Sequence, residues 1–410
     1  MIRILHTADW HIGQTLRGFP RDYEHARVFA EIAGIIAEKD IDALVVAGDI
    51  FDSQNPSGEA QQLFYDTLAG FSRARDRLTI VVVAGNHDAA SRLEAPAALL
   101  QSFKIHVVGS LRRRDGRILG ERHLVPVTDA GGIVAAYVVA VSHPTAACLP
   151  HLPTLRGDGE SPVVAGVRAI YAELMDALAP RIAGLPFVLT GHLHISSGTL
   201  SEGAERRILV GGEHAVPTDV FPPEARYVAL GHLHRAQQWD QGRIRYAGSL
   251  FPLSAAEMDY RHGVSLITID GEQTQVEHLP LSRPVPFLRL PASGDMPLAD
   301  LGQALEQLQL PPDLPVEHHP FVQLRLTRQG LPGGFREEVD RIAESFPVRM
   351  FDVRVVIPGE QPEPAADPLL TLAERQPEDL FRLAFARHHG REPEDPHLDI
   401  FHRIVAEAGA

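Results

Sequence analysis

The sequence of 410 residues contains one cysteine, Cys148, so no intramolecular disulfide can form. We interpret Cys148 as a small buried hydrophobic residue, and the lack of disulfides favours a reducing, cytoplasmic compartment. No run approaches the roughly 18 apolar residues of a membrane-spanning helix, so we expect no contact with a membrane. The first residues, MIRILHTADWH, also lack the basic, apolar and small-residue segments of a signal peptide.

Positive charge is scarce as well, because 38 Lys and Arg stand against 53 Asp and Glu, a formal net charge of −15. This balance argues against a protein that holds nucleic acid by surface charge alone. A polyphosphate substrate would then need local cations, and bound divalent metals are the obvious source. Histidine is plentiful, with 21 residues, and many of them lie at predicted strand ends beside carboxylates, where they can act as metal ligands.

Short apolar runs alternate with amphipathic stretches from residue 2 to about 280. Five runs have the pattern of buried strands: Ile2–Leu5, Ile41–Val46, Ile80–Val83, Phe187–Leu189 and Tyr227–Leu230. Helices are predicted over Tyr23–Glu38, Gln61–Phe71 and Ser91–Leu100. This alternation predicts an α/β protein with a parallel-rich sheet covered by helices. Later strands with few helices between them are expected to form a second sheet packed on the first: Ile133–Val141, Arg207–Val210, Arg243–Ala247, Val264–Ile269 and Thr274–Leu279.

The pattern changes near Pro284–Pro286, after which strands and helices alternate in a small α+β module. Its predicted elements are a strand from Phe287, helix Leu298–Leu308, strand Phe321–Leu326, helix Phe335–Ala343 and strand Phe351–Val356. A Pro- and Glu-rich stretch predicts a linker, and the tail has two short amphipathic helices that need a partner surface, either the body or another protein. We therefore expect four segments, at residues 1–282, 283–357, 358–368 and 369–410.

Five short motifs follow predicted strands directly, where side chains from neighbouring strands converge. They are Asp9-Trp10-His11, Gly48-Asp49 continuing to Asp52, Gly85-Asn86-His87-Asp88, Gly191-His192 and Gly231-His232-Leu233-His234. Each alone could be a loop with incidental polar residues, whereas all five in this order indicate one shared site. Carboxylate, imidazole and amide ligands together favour Mn²⁺, Fe, Zn²⁺ or Co²⁺ over Mg²⁺ or Ca²⁺. The motifs therefore predict a dinuclear metal centre.

Two metals roughly 3.5–4 Å apart would activate a water for attack on phosphorus and hold the phosphoryl oxygens. His87 directly follows Asn86, so we expect it beside the metals as an acid–base residue. Asp88 is expected to fix the tautomer of His87 or to raise its pKa.

These motifs resemble the D-x-H, G-D-x-x-D, G-N-H-D, G-H and G-H-x-H motifs of the calcineurin-like metallophosphoesterase superfamily. The strings HTADWHIG, AGDIFD, ALGHLHRAQ and RYAGSLFPLSAAE resemble more narrowly the SbcD family, the nuclease subunits of bacterial SbcCD complexes, over residues 1 to about 280. The resemblance implies a four-layer αββα sandwich with a small α+β capping domain and C-terminal helices. It implies two divalent metals, usually manganese, with His87 protonating the leaving 3′ oxygen. One metal would be held by Asp9, His11, Asp49 and His234, and the other by Asp49, Asn86, His192 and His232.

The same resemblance implies a manganese-dependent DNA nuclease subunit, acting as a double-strand exonuclease and a single-strand or hairpin endonuclease in DNA replication, repair and recombination. Its partners would be DNA and an SbcC-type, SMC-like coiled-coil ATPase that binds the tail helices, with this chain as a homodimer within a heterotetramer. A small-substrate phosphodiesterase or phosphatase is the alternative, because it would share every metal ligand. A scaffold subunit with a dead site would lack ligands, and none is missing here.

Other polar residues near the motifs receive lesser roles. His194 shares the GHLH string of His192, but the superfamily pattern calls for one histidine there. We expect His143 on a surface loop, with a place along the cleft as its alternative, and His214 is a similar case. Trp10 is expected to pack beneath the site, with stacking on a base as its alternative. Arg112–Arg114 are expected in a solvated loop, with contact to a phosphate backbone as the alternative.

Overall fold

The computed structural model describes residues 1–145, 148–149, 161–182, 184–199, 215–356, 377–389, 391, 393, 397–398 and 400–401. The strands in this part of the chain are β1 (Ile2–Thr7), β2 (Thr15–Leu16), β3 (Phe19–Pro20), β4 (Ala43–Ala47), β5 (Thr79–Val83), β6 (Ile105–Val108), β7 (Arg113–Arg114), β8 (Arg117–Ile118), β9 (Leu124–Thr128), β10 (Val134–Val139), β11 (Phe187–His192), β12 (Tyr227–Gly231), β13 (Gln237–Trp239), β14 (Ile244–Tyr246), β15 (Gly263–Asp270), β16 (Gln273–Pro280), β17 (Phe287–Leu290), β18 (Phe321–Thr327) and β19 (Arg349–Val356). The α-helices are α1 (Asp22–Glu38), α2 (Gly58–Ala74), α3 (Ala90–Glu94), α4 (Ala97–Leu100), α5 (Pro162–Ile182), α6 (Leu301–Glu306), α7 (Phe335–Ala343) and α8 (Pro377–His389). None of the helices in the described ranges is both long and apolar enough to cross a membrane.

The first large sheet has the strand order β16-β15-β1-β4-β5-β6. Strands β1, β4, β5 and β6 run parallel, while β15 is antiparallel to β1 and β16 to β15. Every residue of β4 and β5 is buried, as expected for parallel strands covered on both faces. Helices α1 and α2 cover the outer face with apolar side chains such as Val28, Ile32 and Phe64.

The second large sheet has the order β13-β14-β12-β11-β10-β9, and α5 covers its outer face with Ile170 and Leu174. A third apolar layer, which includes Val81 and Val138, fills the space between the two sheets. The succession of helices, sheet, sheet and helix forms four layers. The predicted αββα sandwich is therefore confirmed.

Sheet membership differs from the prediction for four strands. The run Val264–Ile269 forms β15, which pairs with β1 in the first sheet, and β16 follows it there rather than in the second sheet. Strands β11 and β12, in contrast, belong to the second sheet. The cause is that side-chain alternation defines the two faces of a strand but not its neighbours. The predicted strand Arg207–Val210 lies outside the described residues.

Two helix predictions are also corrected. The run Pro162–Ile182 forms the long helix α5, which the sequence pattern did not predict. Its apolar face is interrupted by Gly166, and Pro180 lies inside its last turn, so the helical pattern is weak. The predicted helix Ser91–Leu100 is two short helices, α3 and α4, separated at Pro96, as expected where proline removes a backbone donor.

Strands β17, β18 and β19 form a separate parallel sheet within the segment predicted as the capping domain. Helices α6 and α7 pack on one face of it, while Phe287, Phe321 and Phe351 on the other side pack around Met258. The side chain of Arg21 lies over the rings of Phe251 and Phe321, at 4.6 and 4.9 Å, and so joins this sheet to the sandwich. The domain boundaries remain predictions, and the predicted linker lies outside the described residues.

Candidate metal centre

The five motifs meet at one end of the sandwich, because the strands before them run in the same direction. The loop after β1 follows the loop after β4 through two backbone bonds: Asp9 N–H donates to Gly48 O and His11 N–H to Asp49 O, both at 3.0 Å. The second sheet contributes from the opposite side, where β11 pairs in parallel with β12, so His192 lies opposite Gly231.

Two groups of buried side chains bring one potential ligand atom from each residue within 4.8 Å of one another. They are Asp9, His11 and His234 in one group, and Asp49, His192 and His232 in the other. Asn86 belongs beside the second group, because its Oδ1 lies 3.0 Å from His192 Nε2. The structure thus brings all seven predicted ligands together at the junction of the two sheets.

Asp49 lies between the two groups. Its Oδ2 is 3.7 Å from His11 Nε2 and 3.3 Å from His192 Nε2, while its Oδ1 accepts the His87 N–H at 2.9 Å. Burial alone would raise the pKa of Asp49, but His192 and His87 outweigh it and hold that pKa well below the ordinary value. Asp49 is therefore an anion whose outer oxygen suits a bridge between two cations.

Two atoms of the first group are buried without a hydrogen-bond partner among the described residues, Asp9 Oδ2 and His11 Nε2. Leaving buried polar atoms unsatisfied costs about 1–3 kcal/mol each, and a bound cation would satisfy both. Carboxylate, imidazole and amide donors form the set that first-row divalent metals accept. The residues therefore fit a pair of divalent metals.

Second contacts orient the histidine rings. His192 Nδ1 lies 2.8 Å from the Ala47 carbonyl, and His234 Nδ1 lies 2.9 Å from Glu257 Oε1, so Nε2 is assigned to the metal in both rings. His11 Nδ1 lies 3.3 Å from Asp52 Oδ1 in the same way. The motifs did not predict Glu257, which is fully buried. It ends the string RYAGSLFPLSAAE, and this position in a string that carries the family resemblance was the available signal.

The backbone at four proposed ligands adopts the left-handed conformation, which non-glycine residues rarely do. These residues are Asp9 (φ 53°), His11 (φ 48°), Asp49 (φ 49°) and His232 (φ 106°). Such a conformation costs about 1–3 kcal/mol and persists only where the surroundings fix it, commonly at functional sites.

Glycine is required where strand ends approach most closely. A Cβ at Gly85 would lie 2.1 Å from Asp49 Oδ1, and a Cβ at Gly231 would lie 2.0 Å from the Ala47 carbonyl oxygen. Both distances are far below van der Waals contact. Any side chain at these positions would displace the ligands beside them.

His87 lies next to the first group, with its ring 4.7 Å from that of His11. Its Nδ1 is 2.8 Å from the Asp52 backbone carbonyl, where the motif predicted Asp88. The carboxylate of Asp88 instead accepts the N–H groups of Gly85 at 2.8 Å, Phe51 at 3.0 Å and Ile50 at 3.1 Å. We therefore correct the role of Asp88: it joins the loops after β4 and β5, and the Asp52 carbonyl fixes the ring of His87.

The expected surface position of His143 is wrong. His143 N–H donates to Ala84 O at 2.8 Å, and its Nδ1 lies 3.0 Å from His192 O, which places the ring 6.1 Å from the His192 ring. Burial, with His192 adding to it, lowers the pKa of His143 to about 4, so the ring is neutral. His194 is half-buried with its ring 6.2 Å from that of His232, and it belongs to neither group of three. His214 lies outside the described residues.

Two further expectations have clear outcomes. Trp10 is fully buried and packs against Phe29, with ring centroids 4.8 Å apart, so packing beneath the site is confirmed. In the basic run Arg112–Arg114, Arg112 pairs with Glu94, and Arg113 pairs with Glu173 at 2.6 Å. These pairs reduce the charge available to a phosphate backbone.

The fold and this site define a class of protein. Residues 2–236 match the family model of the calcineurin-like phosphoesterases, and residues 283–389 match that of the type 5 capsule protein repressor C-terminal domain. The chain therefore belongs to the calcineurin-like phosphoesterase family and is a metal-dependent phosphodiester hydrolase.

Individual relatives share one name, as the SbcD subunits of SbcCD nucleases. The chain is 48% identical to that of Rhodobacter capsulatus over 386 residues, which cover 94% of each chain. It is 34% identical to that of Bacillus subtilis over 304 residues, 72% of this chain and 73% of the relative. Identity to that of Escherichia coli K12 is 29% over 399 residues, 94% of this chain and 93% of the relative. These matches confirm the resemblance to SbcD nuclease subunits.

Proposed function

We propose that this chain is the catalytic subunit of a DNA nuclease that cuts double-stranded ends and hairpins together with an SbcC-type ATPase. The observation that carries the proposal is the pair of buried ligand groups joined by Asp49, in a chain that aligns along 94% of its length with an SbcD subunit of an SbcCD nuclease. A small-substrate phosphodiesterase would share the ligands. The identity that continues beyond the sandwich into the β17–β19 sheet favours the nuclease.

Two divalent metals would be held at the junction of the sheets, and manganese is the proposed occupant. The first would be held by Asp9, His11, Asp49 and His234, and the second by Asp49, Asn86, His192 and His232. When bound, such a pair neutralises phosphoryl charge and lowers the pKa of a coordinated water.

His87 is the proposed proton donor. Its Nδ1–H donates to the Asp52 carbonyl, so Nε2 is the ring nitrogen that carries a second proton and releases it to the leaving oxygen. Asp88 keeps the two loops together so that His87 stays beside His11. A 3′ alkoxide leaves poorly without a proton, and supplying that proton is the contribution of this side chain.

The test of this proposal compares leaving groups in the presence of Mn²⁺. We expect His87→Ala to lower kcat on a hairpin-ended DNA duplex by about 10²–10⁴-fold. Cleavage of bis(p-nitrophenyl) phosphate should fall much less, because nitrophenolate leaves without protonation. Metal content measured by atomic emission should match wild type. Full DNA cleavage by His87→Ala would refute the proton-donor role, and a wild type that never cuts DNA would refute the nuclease.

Assembly is proposed from two surfaces. Leu99 and Phe103, one helical turn apart at the end of α4 and just after it, are 67% and 60% exposed, and a second copy of this chain would cover them in a homodimer. The second surface is α8 in the tail, whose Phe381 stacks on Phe401 at 4.6 Å and which we propose binds the ATPase. We place the resulting heterotetramer in the cytoplasm, in agreement with the single cysteine of the chain.

A further inference from the structure

A pocket of about 210 Å³ lies beside the metal centre, and we name it the Tyr260 pocket. Its lining includes Leu250, Tyr260, Arg261, His262, Ser282 and Arg283. Two backbone bonds connect it to the centre: Ser249 N–H donates to His234 O at 3.1 Å, and Tyr260 N–H donates to Glu257 O at 3.0 Å. Because Glu257 in turn holds the ring of His234, the pocket wall is fixed relative to a proposed metal ligand.

The rim of the Tyr260 pocket is cationic. Arg235 directly follows His234 in the chain, and its guanidinium carbon lies 5.7 Å from the centroid of the Tyr260 ring. Arg261 directly follows Tyr260 and is exposed. In the part of the chain that the structure describes, neither arginine forms an ion pair with a carboxylate, whereas Arg226 and Arg243 do. In a chain of net charge −15, two uncompensated arginines around one aromatic ring are an exception.

We propose that the Tyr260 pocket binds an unpaired nucleotide that flanks the scissile phosphate. Its base would pack on the Tyr260 ring, and its phosphate would lie between Arg235 and Arg261. An aromatic ring with adjacent arginines is the combination that binds single-stranded nucleic acid, because every base has a flat face and every nucleotide a phosphate. This inference rests on the proposed nuclease function and adds the form of DNA that the site receives.

The position of the ring within a pocket favours an unpaired strand over a duplex. A base within a duplex is stacked on both faces, so Tyr260 could reach it only after the end has frayed or at a hairpin loop. A small phosphodiester has no flanking nucleotide and would not reach the pocket. The two substrates therefore depend on Tyr260 to different extents.

The experiment measures steady-state cleavage by the full chain with Mn²⁺ on two substrates, a hairpin DNA with a single-stranded tail and bis(p-nitrophenyl) phosphate. We expect Tyr260→Ala to raise KM for the DNA about 5- to 100-fold, from the loss of one stacked base, and Tyr260→Phe to stay within about twofold of wild type. Arg261→Ala should raise KM and reduce the log–log salt slope of DNA binding by about 0.7. The matched control is Arg117→Ala, an exposed arginine on β8, whose neighbour Ile118 N–H bonds to Glu173 of α5.

All four variants should cleave bis(p-nitrophenyl) phosphate at the wild-type rate, which also shows that they are folded and loaded with metal. Unchanged KM for DNA in both Tyr260→Ala and Arg261→Ala would overturn the inference and leave the nuclease proposal intact. An equal loss on both substrates would also overturn it, since these residues would then support the metal centre rather than the strand. A wild type that cleaves only the small phosphodiester would instead refute the proposed function.

Discussion

Replacement of Glu257 by glutamine tests whether a residue that touches no proposed substrate controls metal binding. The two oxygens of Glu257 serve donors on opposite sides: Oε1 lies 2.9 Å from His234 Nδ1, and Oε2 accepts Leu253 N–H at 2.9 Å and Ser249 Oγ–H at 3.2 Å. Glutamine has one acceptor oxygen and one amino group. In either amide orientation, one N–H donor therefore faces another donor.

The size of the effect follows from these contacts. Loss of the carboxylate behind a metal-binding histidine typically reduces metal affinity 10- to 100-fold, which corresponds to about 1.4–2.8 kcal/mol. The unmatched N–H group, on Leu253 or on His234, should in addition lower the free energy of unfolding of the metal-free chain by about 1–3 kcal/mol. Burial alone would raise the pKa of Glu257, but His234 outweighs it and lowers that pKa, so the wild-type side chain is charged at neutral pH.

The assay is titration calorimetry with Mn²⁺ at neutral pH, together with urea unfolding in EDTA. Glu94→Gln is the matched control, because Glu94 is a buried carboxylate that accepts Gly109 N–H at 2.8 Å outside the metal centre. It should lose stability to a similar extent and keep wild-type metal affinity. If Glu257→Gln binds both Mn²⁺ ions as tightly as wild type while folded, Glu257 does not tune the metal through His234.

Three further predictions concern other parts of the fold. Burial lowers the pKa of His25 from 6.5 to about 4, so the unfolded chain binds the extra proton in this range; relative to His25→Phe, the wild type should lose about 3 kcal/mol of unfolding free energy as pH falls from 6.5 to 4, measured by urea unfolding in EDTA. An equal pH dependence in the two proteins would contradict this. Gly85→Ala should abolish tight Mn²⁺ binding in calorimetry because its Cβ would meet Asp49, whereas Gly34→Ala, with open space around it on α1, should gain up to about 1 kcal/mol; retained binding in Gly85→Ala would refute the steric argument. Leu99→Asp should yield monomers in sedimentation equilibrium, and a persistent dimer would exclude that face as the interface.

The individual strands were predictable because their burial leaves a strong pattern. Fully buried β4 and β5 are continuous apolar runs, and the helix α7 was predicted with the bounds that it has, Phe335–Ala343. The assignment of strands to sheets was not predictable from such patterns. The register between Ile2 of β1 and Ile269 of β15 joins residues far apart in the chain, and no local periodicity encodes that pairing.

The proposed ligands were predictable for a different reason, since each motif lies directly after a strand whose direction sends it to the same edge. Residues that act through contacts between motifs were not. His143 meets His192 from 49 positions away, and Glu257 meets His234 from 23 positions away, each outside any recognisable local motif. Asp88 was misassigned because adjacency in sequence suggested His87, whereas its carboxylate turns back to the backbone of Gly85 and Ile50.

The acidity of the chain and its proposed DNA substrate can be reconciled at the metal centre itself. Only two of the seven proposed ligands, Asp9 and Asp49, are carboxylates, so two divalent cations would leave the loaded centre with net positive charge. A phosphate would therefore be attracted locally although the whole chain carries −15. With only Arg235 and Arg261 proposed as phosphate contacts at the rim of the Tyr260 pocket, the isolated chain would bind DNA weakly and only when metal is present. Metal loading and DNA binding are then linked, and the remaining positive surface must come from the ATPase partner.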